Sequence, residues 1–354
     1  MKLIYTGDYM DAGYHTKKDI FSQTTAWQGA LKAVENQKKE IENLMLSDFQ
    51  QIIFMGCGST YYLSLAAASL FQTQTGTICR AVPGSELLLN SNTILTKGKT
   101  LLIAVSRSGS TTETVEAVRQ FKKNQEGYVI AITNYGNQPL AGLADLPIVI
   151  PEGQEVSIAQ TGSFSSMFIA SSALPILLSG RKELFEKMHD LPKAGESLLK
   201  KYEPIAKENG ENLDLDRFYF LGSGVRYGLA SEANLKMKEM SLTHSEPFYF
   251  LEFRHGPMSM VNENTAVIGL LSEKNRSYEE DVLNEMKELG GHVISLAENN
   301  ADVSFDSGLD DLIRNILYLP VLQIMAFYRS ISKGLDPDKP KNLSSVIYLK
   351  GLTN

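Results

Sequence analysis

Three charged residues, Glu232, Lys236 and Glu239, are spaced four and three residues apart in a predicted helix. Because a helix repeats about every 3.6 residues, all three side chains share one face. A carboxylate held beside an ammonium group can act as a base that moves a proton bound to carbon, provided that its pKa is raised. The same spacing is also typical of a solvated stripe of salt bridges, which performs no chemistry.

A histidine follows this helix in the segment EFRHGP at residues 252–257. Histidine has the side chain whose unperturbed pKa lies nearest to neutral pH, so it serves well as an acid or base. His255 directly precedes Gly256 and Pro257, in a stretch that we interpret as a loop rich in aromatic residues and carboxylates. This position is unfavourable for filling a core and favours an acid/base role.

A turn made almost entirely of small and hydroxyl-bearing residues is a third candidate, with the sequence RSGSTT at 107–112. It follows the apolar run LLIAV at 101–105 and precedes a predicted amphipathic helix with Glu113 in its first turn. Backbone N–H groups and hydroxyls converge at such a helix N-terminus, where the helix dipole favours a phosphate. The alternative is a serine-rich turn that binds nothing, because helix caps use the same residues.

Short apolar runs alternate with helical segments from residue 51 to residue 151. This alternation predicts an α/β fold with a parallel sheet covered on both faces. Ligands of such sheets bind beyond the carboxyl ends of the strands, where the segment GCGST at 56–60 and the turn after Ser106 both fall. The glycines at 56 and 58 do not indicate a dinucleotide site, because a third glycine and the acidic residue about 20 positions later are both missing.

A second, weaker copy of this pattern follows residue 201. The stretch 218–240 resembles 52–71 in its strand, glycine turn and small-residue helix, and 265–299 resembles the stretch that contains the hydroxyl-rich turn. The sequence therefore predicts an internal duplication. In the second copy the turn reads SEKNRS at 272–277, which has no glycine and bulkier side chains. It is a poorer phosphate cradle, so we expect one anion site per chain.

The composition argues against several classes of partner. The 354 residues carry a net charge of -7 and a pI near 5.4, which disfavours nucleic acid and anionic membranes. The longest uncharged run, 156–180, contains Gln160, Thr161 and several serines, so we predict a buried helix and not a membrane span. Two cysteines and no secretory pattern predict a cytoplasmic protein. The five histidines show no spacing typical of a metal site.

We predict that residues 1–49 form a helical segment ahead of the first strand, the lead-in, which packs on the body of the protein or on another subunit. Thr16, with Asp19 three residues later, approximates a capping box and predicts a helix N-cap at Thr16. Trp27 falls in the periodic stretch that follows. Packing is its favoured role, and a stacking platform for a ligand is the alternative.

Five motifs in this order resemble a known family: GCGST, SRSGSTTET, TGSF at 161–164, KMKEM at 236–240 and EFRHGP. They resemble the sugar isomerase (SIS) domain pair of the isomerase half of glucosamine-6-phosphate synthase, over roughly residues 20 to 354. The resemblance implies two tandem SIS domains, each a parallel sheet flanked by helices in a flavodoxin-like, doubly wound arrangement. It further implies an arm at 1–34, a phosphate-binding domain at 35–190, a domain at 200–334 with the catalytic helix and histidine loop, and a tail at 335–354 that closes the active site.

The resemblance also implies roles for individual residues. The sugar phosphate would be held by Ser106, Arg107, Ser108 and Thr111, and the sugar would be lined by Ser59 and Thr60. Glu239 would move a proton between C1 and C2, with Lys236 and Glu232 as its helical neighbours. His255 would open the sugar ring in the active site of the neighbouring subunit, which implies a homodimer. No cofactor and no metal are implied.

Two departures from the family pattern concern the sugar end of the site. The synthase has a lysine just after a Pro-Arg-Asn-Leu motif in its tail, whereas the matching tail here reads PKNLSS at 340–345. The step of ring opening or imine formation in which this lysine takes part is therefore not expected to carry over. Gln160 stands where the synthase has a ligand serine, and Gly162 replaces a lysine. Gln160 is thus a candidate substrate-binding residue in an altered pocket.

We therefore expect a phosphosugar isomerase/deaminase that converts glucosamine 6-phosphate to fructose 6-phosphate and ammonia. Because Met1 and Lys2 open the chain without a cysteine nucleophile, we expect no glutaminase half, which favours the deaminating direction. A tagatose- or galactosamine-6-phosphate aldose/ketose isomerase and a fructosamine-6-phosphate deglycase are alternatives. A non-catalytic sugar-phosphate sensor is an alternative of another class, but a binding module has no use for both Glu239 and His255.

Overall fold

The apolar runs form parallel strands in two separate sheets. A computed structural model describes residues 11–344, 346–347 and 349. Its strands are β1 (Gln51–Gly56), β2 (Cys79–Pro83), β3 (Thr100–Ser106), β4 (Gly127–Thr133), β5 (Leu146–Val149), β6 (Arg217–Leu221), β7 (His244–Phe248), β8 (Thr265–Leu270), β9 (His292–Ala297) and β10 (Val303–Ser304). Its helices are α1 (Tyr14–Asn36), α2 (Lys38–Glu42), α3 (Ser59–Thr75), α4 (Gly84–Leu89), α5 (Ser91–Ile94), α6 (Thr112–Asn124), α7 (Pro139–Leu143), α8 (Gly162–Leu178), α9 (Lys182–Lys187), α10 (Leu191–Glu211), α11 (Val225–Ser241), α12 (Phe250–Phe253), α13 (Arg276–Glu288) and α14 (Leu319–Ser332).

Both sheets have the same strand order. The first is ordered β2-β1-β3-β4-β5, and the second is ordered β7-β6-β8-β9-β10. Every strand pair is parallel, with Ile52 opposite Leu101 and Phe218 opposite Ala266 as examples of the register. This order is that of flavodoxin-like, doubly wound sheets, and it confirms the predicted α/β class. The chain places β2 on one side of β1 and then returns to the other side to form β3, and it does the same around β6 with β7 and β8, so each sheet has a switch point where ligands can bind.

One apolar core joins the two sheets. On β1, alternate residues point to opposite faces, so Phe54 belongs to the central cluster and Met55 to an outer one. The second sheet sends Phe220 into the same central cluster and Leu221 to its own outer cluster. The central cluster also contains apolar residues of α1, α3, α8, α10, α11 and α14. The two sheets therefore face a shared layer of helices.

The long uncharged run of the sequence is a buried helix, as predicted. All residues of α8 from Gly162 to Leu177 are buried. This burial explains why the helix lacks the one-sided apolar pattern of a surface helix. Among the helices of the described residues, none is long and apolar enough to cross a membrane.

The start of α1 differs from the prediction. Gly13 is the N-cap, with φ of 77°, and Thr16 lies inside the helix without capping it. The free N–H groups of the first turn are satisfied from the other end of the chain: Asp336 accepts from the amide of Gly13, and Asp338 accepts from the amides of His15 and Thr16. The capping-box prediction was wrong because it considered only neighbouring residues.

Trp27 has a packing role and is not a ligand platform. Its side chain is fully buried, and its indole Nε1 donates to Ser165 Oγ of α8 at 2.7 Å. Helix α1, which carries it, packs on α8, so this helix of the lead-in belongs to the body of the protein, whereas residues 1–10 lie outside the described residues.

The stretch interpreted as an aromatic loop contains regular structure. Residues 244–248 form β7, which pairs with β6, and residues 250–253 form the single-turn helix α12. Pro247 is compatible with β7 because this strand lies at the edge of its sheet. Only the residues that follow α12, including His255, form a turn.

Candidate active site

The site begins where helix α3 of the first half crosses helix α11 of the second. At the crossing, a Cβ on Gly228 would lie 2.6 Å from the carbonyl oxygen of Tyr62 and 2.5 Å from the amide nitrogen of Ala66. Only glycine permits this approach. One turn further along α11, the side chain of Glu232 reaches Ser59, the first residue of α3. The crossing thus places the N-terminus of one helix on the charged face of the other.

Lys236 lies at the centre of a buried cluster on this face. Its Nζ is 2.5 Å from Glu239 Oε2, 3.2 Å from Glu232 Oε1 and 3.0 Å from Ser59 Oγ. The Ser59 hydroxyl in turn donates to Glu232 Oε1 at 3.2 Å. The side chains of Glu232 and Lys236 are 0% and 1% exposed, whereas that of Glu239 is 20% exposed. The interpretation as a solvated stripe is therefore wrong, and Glu239 is the carboxylate that faces outward.

Burial and neighbouring charges shift the pKa values of two members of this cluster, Glu232 and Lys236. Burial raises the pKa of the Glu232 carboxyl to about 8, against the opposing effect of the Lys236 ammonium, and the nearby Glu239 adds to the rise. Burial lowers the pKa of Lys236, but Glu232 and Glu239 together outweigh it and leave that pKa raised. Lys236 therefore keeps its charge, and the fully buried Glu232 holds a proton more readily than an ordinary carboxyl.

The hydroxyl-rich turn lies between β3 and α6, as predicted. Ser106 Oγ accepts from the amide of Gly109 at 3.2 Å, and Ser108 Oγ accepts from the amide of Ser110 at 3.2 Å. The hydroxyls of Ser108 and Thr111 are 3.4 Å apart. Gly109 has φ of 63°, which the turn needs in order to fold back on itself. Hydroxyls and amides are thus gathered at the N-terminus of a 13-residue helix, an arrangement suited to an anion.

Cys57 connects this turn to the buried cluster. Its amide donates to Thr60 Oγ1 at 2.8 Å, next to Ser59, and its Sγ is 3.5 Å from Thr114 Oγ1 in α6. Both turns follow the carboxyl ends of neighbouring strands, β1 and β3. The structure therefore brings the hydroxyl-rich turn, Ser59, Thr60 and the cluster around Lys236 to one switch point.

The C-terminal tail contacts the first residue of α6. The carbonyl oxygen of Ile347 is 3.4 Å from the amide nitrogen of Thr112, and the amide of Leu349 donates to Thr112 Oγ1 at 3.3 Å. Tail main chain therefore lies beside the hydroxyl-rich turn. Of the serines that replace the family lysine, Ser344 is described, whereas Ser345 lies outside the described residues, as do residues 348 and 350–354.

Arg107 sends its side chain away from the turn that carries it. Its Nη1 donates to the carbonyl oxygens of Ser157 and Ile158, at 3.2 and 2.8 Å, and lies 3.7 Å from Glu155 Oε1. Gln160 belongs to the same loop and is half-buried. Its Oε1 is buried and has no hydrogen-bond partner among the described residues. Sequence reasoning missed Glu155, although it is the one charge between Glu152 and a long uncharged run.

His255 is not brought to the cluster within this chain. Its side chain is exposed and makes no hydrogen bond to any residue that the structure describes. Three large apolar side chains near it are also exposed, Tyr249 (44%), Leu251 (48%) and Met260 (52%). The histidine therefore lies on an exposed segment that also carries exposed apolar side chains, and it makes no hydrogen bond or ion pair with the cluster around Lys236.

In the second half, the turn that corresponds to the hydroxyl-rich turn is SEKNRS at 272–277, and a side chain of the protein itself contacts it. Glu279 of α13 accepts from the amide of Ser272 at 2.5 Å, and its side chain is buried. A carboxylate already satisfies the donor that an anion would need there. This contact gives a structural reason for the expectation of one anion site per chain.

Both Cys57 and Cys79 are free thiols. Burial raises the pKa of the Cys57 thiol. Within residues 11–344, 346–347 and 349, no group of three or more His, Cys, Asp or Glu side chains is arranged to hold a metal ion.

A comparison with known protein families matches both halves of the chain. A family model described as the SIS domain matches residues 45–177 and 214–324. These two matches contain β1 to β5 and β6 to β10, together with the helices that cross at Gly228.

Curated relatives are longer than this chain. It is 30% identical over 319 residues to glutamine–fructose-6-phosphate aminotransferase (isomerizing) of Sulfurisphaera tokodaii, covering 89% of this chain and 52% of the relative. It is 27% identical over 334 residues to the protein of the same name from Methanothermobacter thermautotrophicus, covering 91% and 54%. The chain thus spans about half the length of the curated relatives it matches.

Solved structures match nearly end to end. Glucosamine-6-phosphate deaminase from Thermotoga maritima superposes with a TM-score of 0.80 at 30% identity, covering 95% of this chain and 100% of that one. Tagatose-6-phosphate ketose/aldose isomerase from Escherichia coli gives a TM-score of 0.83 at 24% identity, covering 94% and 96%. The second similarity supports the fold alone.

Proposed function

The chain belongs to the SIS domain family, and on this premise we propose that it is an isomerase/deaminase of amino-sugar 6-phosphates. It converts glucosamine 6-phosphate to fructose 6-phosphate and ammonia. The observation that carries the proposal is the buried contact of Lys236 with Glu239, Glu232 and Ser59 beside a hydroxyl-rich turn. The match to a glucosamine-6-phosphate deaminase over its whole length supports this choice of substrate.

Glu239 is the base in this proposal. As the outward-facing member of the cluster, it takes the proton from C2 of the open-chain amino sugar and returns a proton to C1, through an enolamine. The product is a ketose imine at C2, and water converts it to the C2 ketone with release of ammonia. Lys236 holds the Glu239 carboxylate at 2.5 Å, and Glu232 and Ser59 hold Lys236. The geometry of the base is therefore set by groups that are themselves buried.

The phosphate and sugar occupy the neighbouring turns. In the proposed complex, the amides and hydroxyls of Ser106, Ser108 and Thr111 bind the phosphate at the α6 N-terminus. Ser59 and Thr60 line the sugar, with Gln160 at its other end. Binding through local donors suits a chain whose net charge is -7, because its overall field repels anions.

His255 opens the sugar ring in the site of a second subunit. Its exposure on a segment that also exposes Tyr249 and Leu251 supports this part of the proposal, because exposed apolar side chains near an acid/base group that has no hydrogen-bond partner among the described residues are suited to an interface. The protein is accordingly a homodimer, and its two free cysteines are compatible with the reducing cytoplasm.

The direct test is a coupled assay for ammonia and fructose 6-phosphate. Purified protein is supplied with glucosamine 6-phosphate and then with galactosamine 6-phosphate, without added metal. We expect turnover with one of the two, and turnover at least about a hundredfold lower with the Glu239→Gln variant. Folded protein that releases no ammonia from either sugar contradicts the proposal.

The tail is also compatible with a second candidate reaction of the same class. Serines stand where the synthase has the lysine that takes part in ring opening or imine formation, and neither the deaminase route above nor a simple aldose/ketose isomerase needs an enzyme-bound imine. Tagatose 6-phosphate is the substrate to test, with its aldose isomer as the product. Turnover of this sugar without ammonia release from amino sugars would replace the deaminase assignment.

A further inference from the structure

The loop between β5 and α8 has no regular secondary structure at residues 154–161, although it carries Gln160. Hydrogen bonds to other segments of the chain hold it in place. Asn134 accepts from Gln154 through its main-chain carbonyl, and the Ser157 hydroxyl lies 3.0 Å from that of Thr16. A loop that is fixed only by such contacts depends on them for the position of its side chains.

Glu155 makes most of the contacts that close this loop. Its carboxylate, 2% exposed, accepts from the amide of Thr161 at 3.2 Å, from Thr161 Oγ1 at 3.0 Å and from the amide of Ser163 at 3.3 Å. It also accepts from the hydroxyl of Ser163. These donors belong to Thr161, the N-cap of α8, and to Ser163 in its first turn, where a negative charge is favoured by the helix dipole. Glu155 therefore ties the beginning of the loop to its end, directly beside Gln160.

Arg107 connects this loop to the hydroxyl-rich turn. Its carbonyl accepts from the amide of Asn134 and the hydroxyl of Thr133, each at 3.2 Å, so its main chain is held at the end of β4. Its guanidinium, in a side chain only 8% exposed, spans to two loop carbonyls and to Glu155. A rigid, planar guanidinium suits this multiple contact better than an ammonium group. The two ends of the substrate site are thus joined through buried charges.

Gln160 is the side chain that this arrangement presents. Its Oε1 is buried and accepts no hydrogen bond from the described residues, a costly state unless a ligand supplies a donor. An amide oxygen accepts hydrogen bonds, and in a sugar ligand the matching donor is a hydroxyl or a protonated amine.

We propose that Arg107 and Glu155 are positioning residues that hold Gln160 against a hydroxyl or amine of the sugar, and that the Arg107 side chain is not a phosphate ligand. This inference rests on the proposed function, because it takes the hydroxyl-rich turn as the phosphate site. It deepens that proposal by assigning sugar recognition to a loop held by a residue of the phosphate turn.

The experiment compares two ligands by calorimetric titration. Inorganic phosphate reaches only the turn, whereas glucitol 6-phosphate adds an open-chain sugar that lacks a carbonyl and is not turned over. In the Glu155→Gln, Arg107→Lys and Gln160→Ala variants, we expect the Kd for glucitol 6-phosphate to rise about tenfold, as loss of one buried hydrogen bond would produce. The Kd for phosphate stays within about twofold of wild type. Glu152→Gln, the same change at an exposed carboxylate nearby, is the matched control.

The possible outcomes separate this inference from the proposed function. Equal weakening of both ligands in Arg107→Lys makes Arg107 a phosphate ligand and overturns the inference. Unchanged binding of both ligands in Glu155→Gln also overturns it. If wild type binds neither ligand, the proposed function fails first and takes the inference with it. Circular dichroism verifies folding, and Glu155→Asp replaces Glu155→Gln if the latter does not fold.

Discussion

Ser59, at the start of a helix in the first half of the chain, donates its hydroxyl to Glu232 in the middle of a helix in the second half, at 3.2 Å. The two residues are 173 positions apart in sequence. Both are buried, so the contact is protected from water. It joins the glycine turn after β1 to the charged face of α11, and the site therefore depends on both halves of the chain.

The Glu239→Gln variant should lose activity without losing structure. An amide cannot accept the proton from C2, so we expect turnover to fall by about a hundredfold or more. KM should change little, because the phosphate turn is intact. Steady-state kinetics of ammonia release measure both, with Lys238→Gln on the exposed side of the same helix as the control. A variant that keeps more than a small fraction of turnover excludes Glu239 as the base.

The Lys236→Met variant should be destabilised. Removing the ammonium leaves Glu232 and Glu239 buried or half-buried without their cation, which costs about 3 to 5 kcal/mol when a buried ion pair is broken. Urea denaturation followed by circular dichroism gives the free energy of unfolding. Lys238→Met is the matched control, since it replaces an exposed lysine of the same helix. A loss below about 1 kcal/mol would show that the cluster is not a buried ion pair in solution.

Glu232 should make stability depend on pH. Its pKa in the folded protein, about 8, lies above the ordinary value of 4.5, so the folded protein holds a proton that the unfolded chain releases. The free energy of unfolding attributable to this group is therefore highest below about pH 4.5 and falls as the pH rises to about 8. Glu232→Gln should flatten this dependence between pH 5 and pH 8, as measured by urea denaturation. The exposed Glu263→Gln variant is the control, and parallel curves for Glu232→Gln and wild type contradict the prediction.

Mixed dimers should test the donation of His255. Neither His255→Ala nor Glu239→Gln should be active alone. A heterodimer of the two contains one site with both groups intact, so random mixing should restore about a quarter of wild-type activity. Assay of the two variants after unfolding and refolding together measures this recovery. If His255 acted in its own subunit's site, every site in the mixture would lack one group and no activity would return.

The Asp338→Ala variant should loosen the first helix. Asp338 accepts hydrogen bonds from the amides of His15 and Thr16 and from the Thr16 hydroxyl. Loss of such a cap costs about 1 to 2 kcal/mol. Thermal or urea unfolding measures the change, with Asp281→Ala, which replaces an exposed aspartate, as the control. An unchanged free energy of unfolding would mean that water replaces this cap without loss.

Much of the fold could be predicted because its signals are local. Apolar runs such as LLIAV, followed by glycine or hydroxyl-rich turns, determine where strands end and helices begin. β7 was missed because its sequence HSEPF lacks an apolar run, being an edge strand with half-exposed side chains. The start of α1 was missed because its cap comes from Asp336 and Asp338, more than 300 residues away.

The candidate site, like the fold, combines features that follow from local sequence with features that do not. The sequence by itself determined that Glu232, Lys236 and Glu239 share one helix face, because helix geometry depends only on spacing. It also determined that the hydroxyl-rich turn lies at the end of a buried strand. The functional roles inferred from the family resemblance remain predictions.

Only the tertiary structure decided which partners these side chains have. The close crossing of α3 and α11 at Gly228 buries Lys236 and adds Ser59 to its contacts, turning a possible surface stripe into an internal cluster. The direction of the Arg107 side chain was likewise decided by a loop 50 residues away. The physical reason is that a helix or turn forms from contacts between near neighbours, whereas burial and hydrogen-bond partners depend on packing between segments distant in sequence.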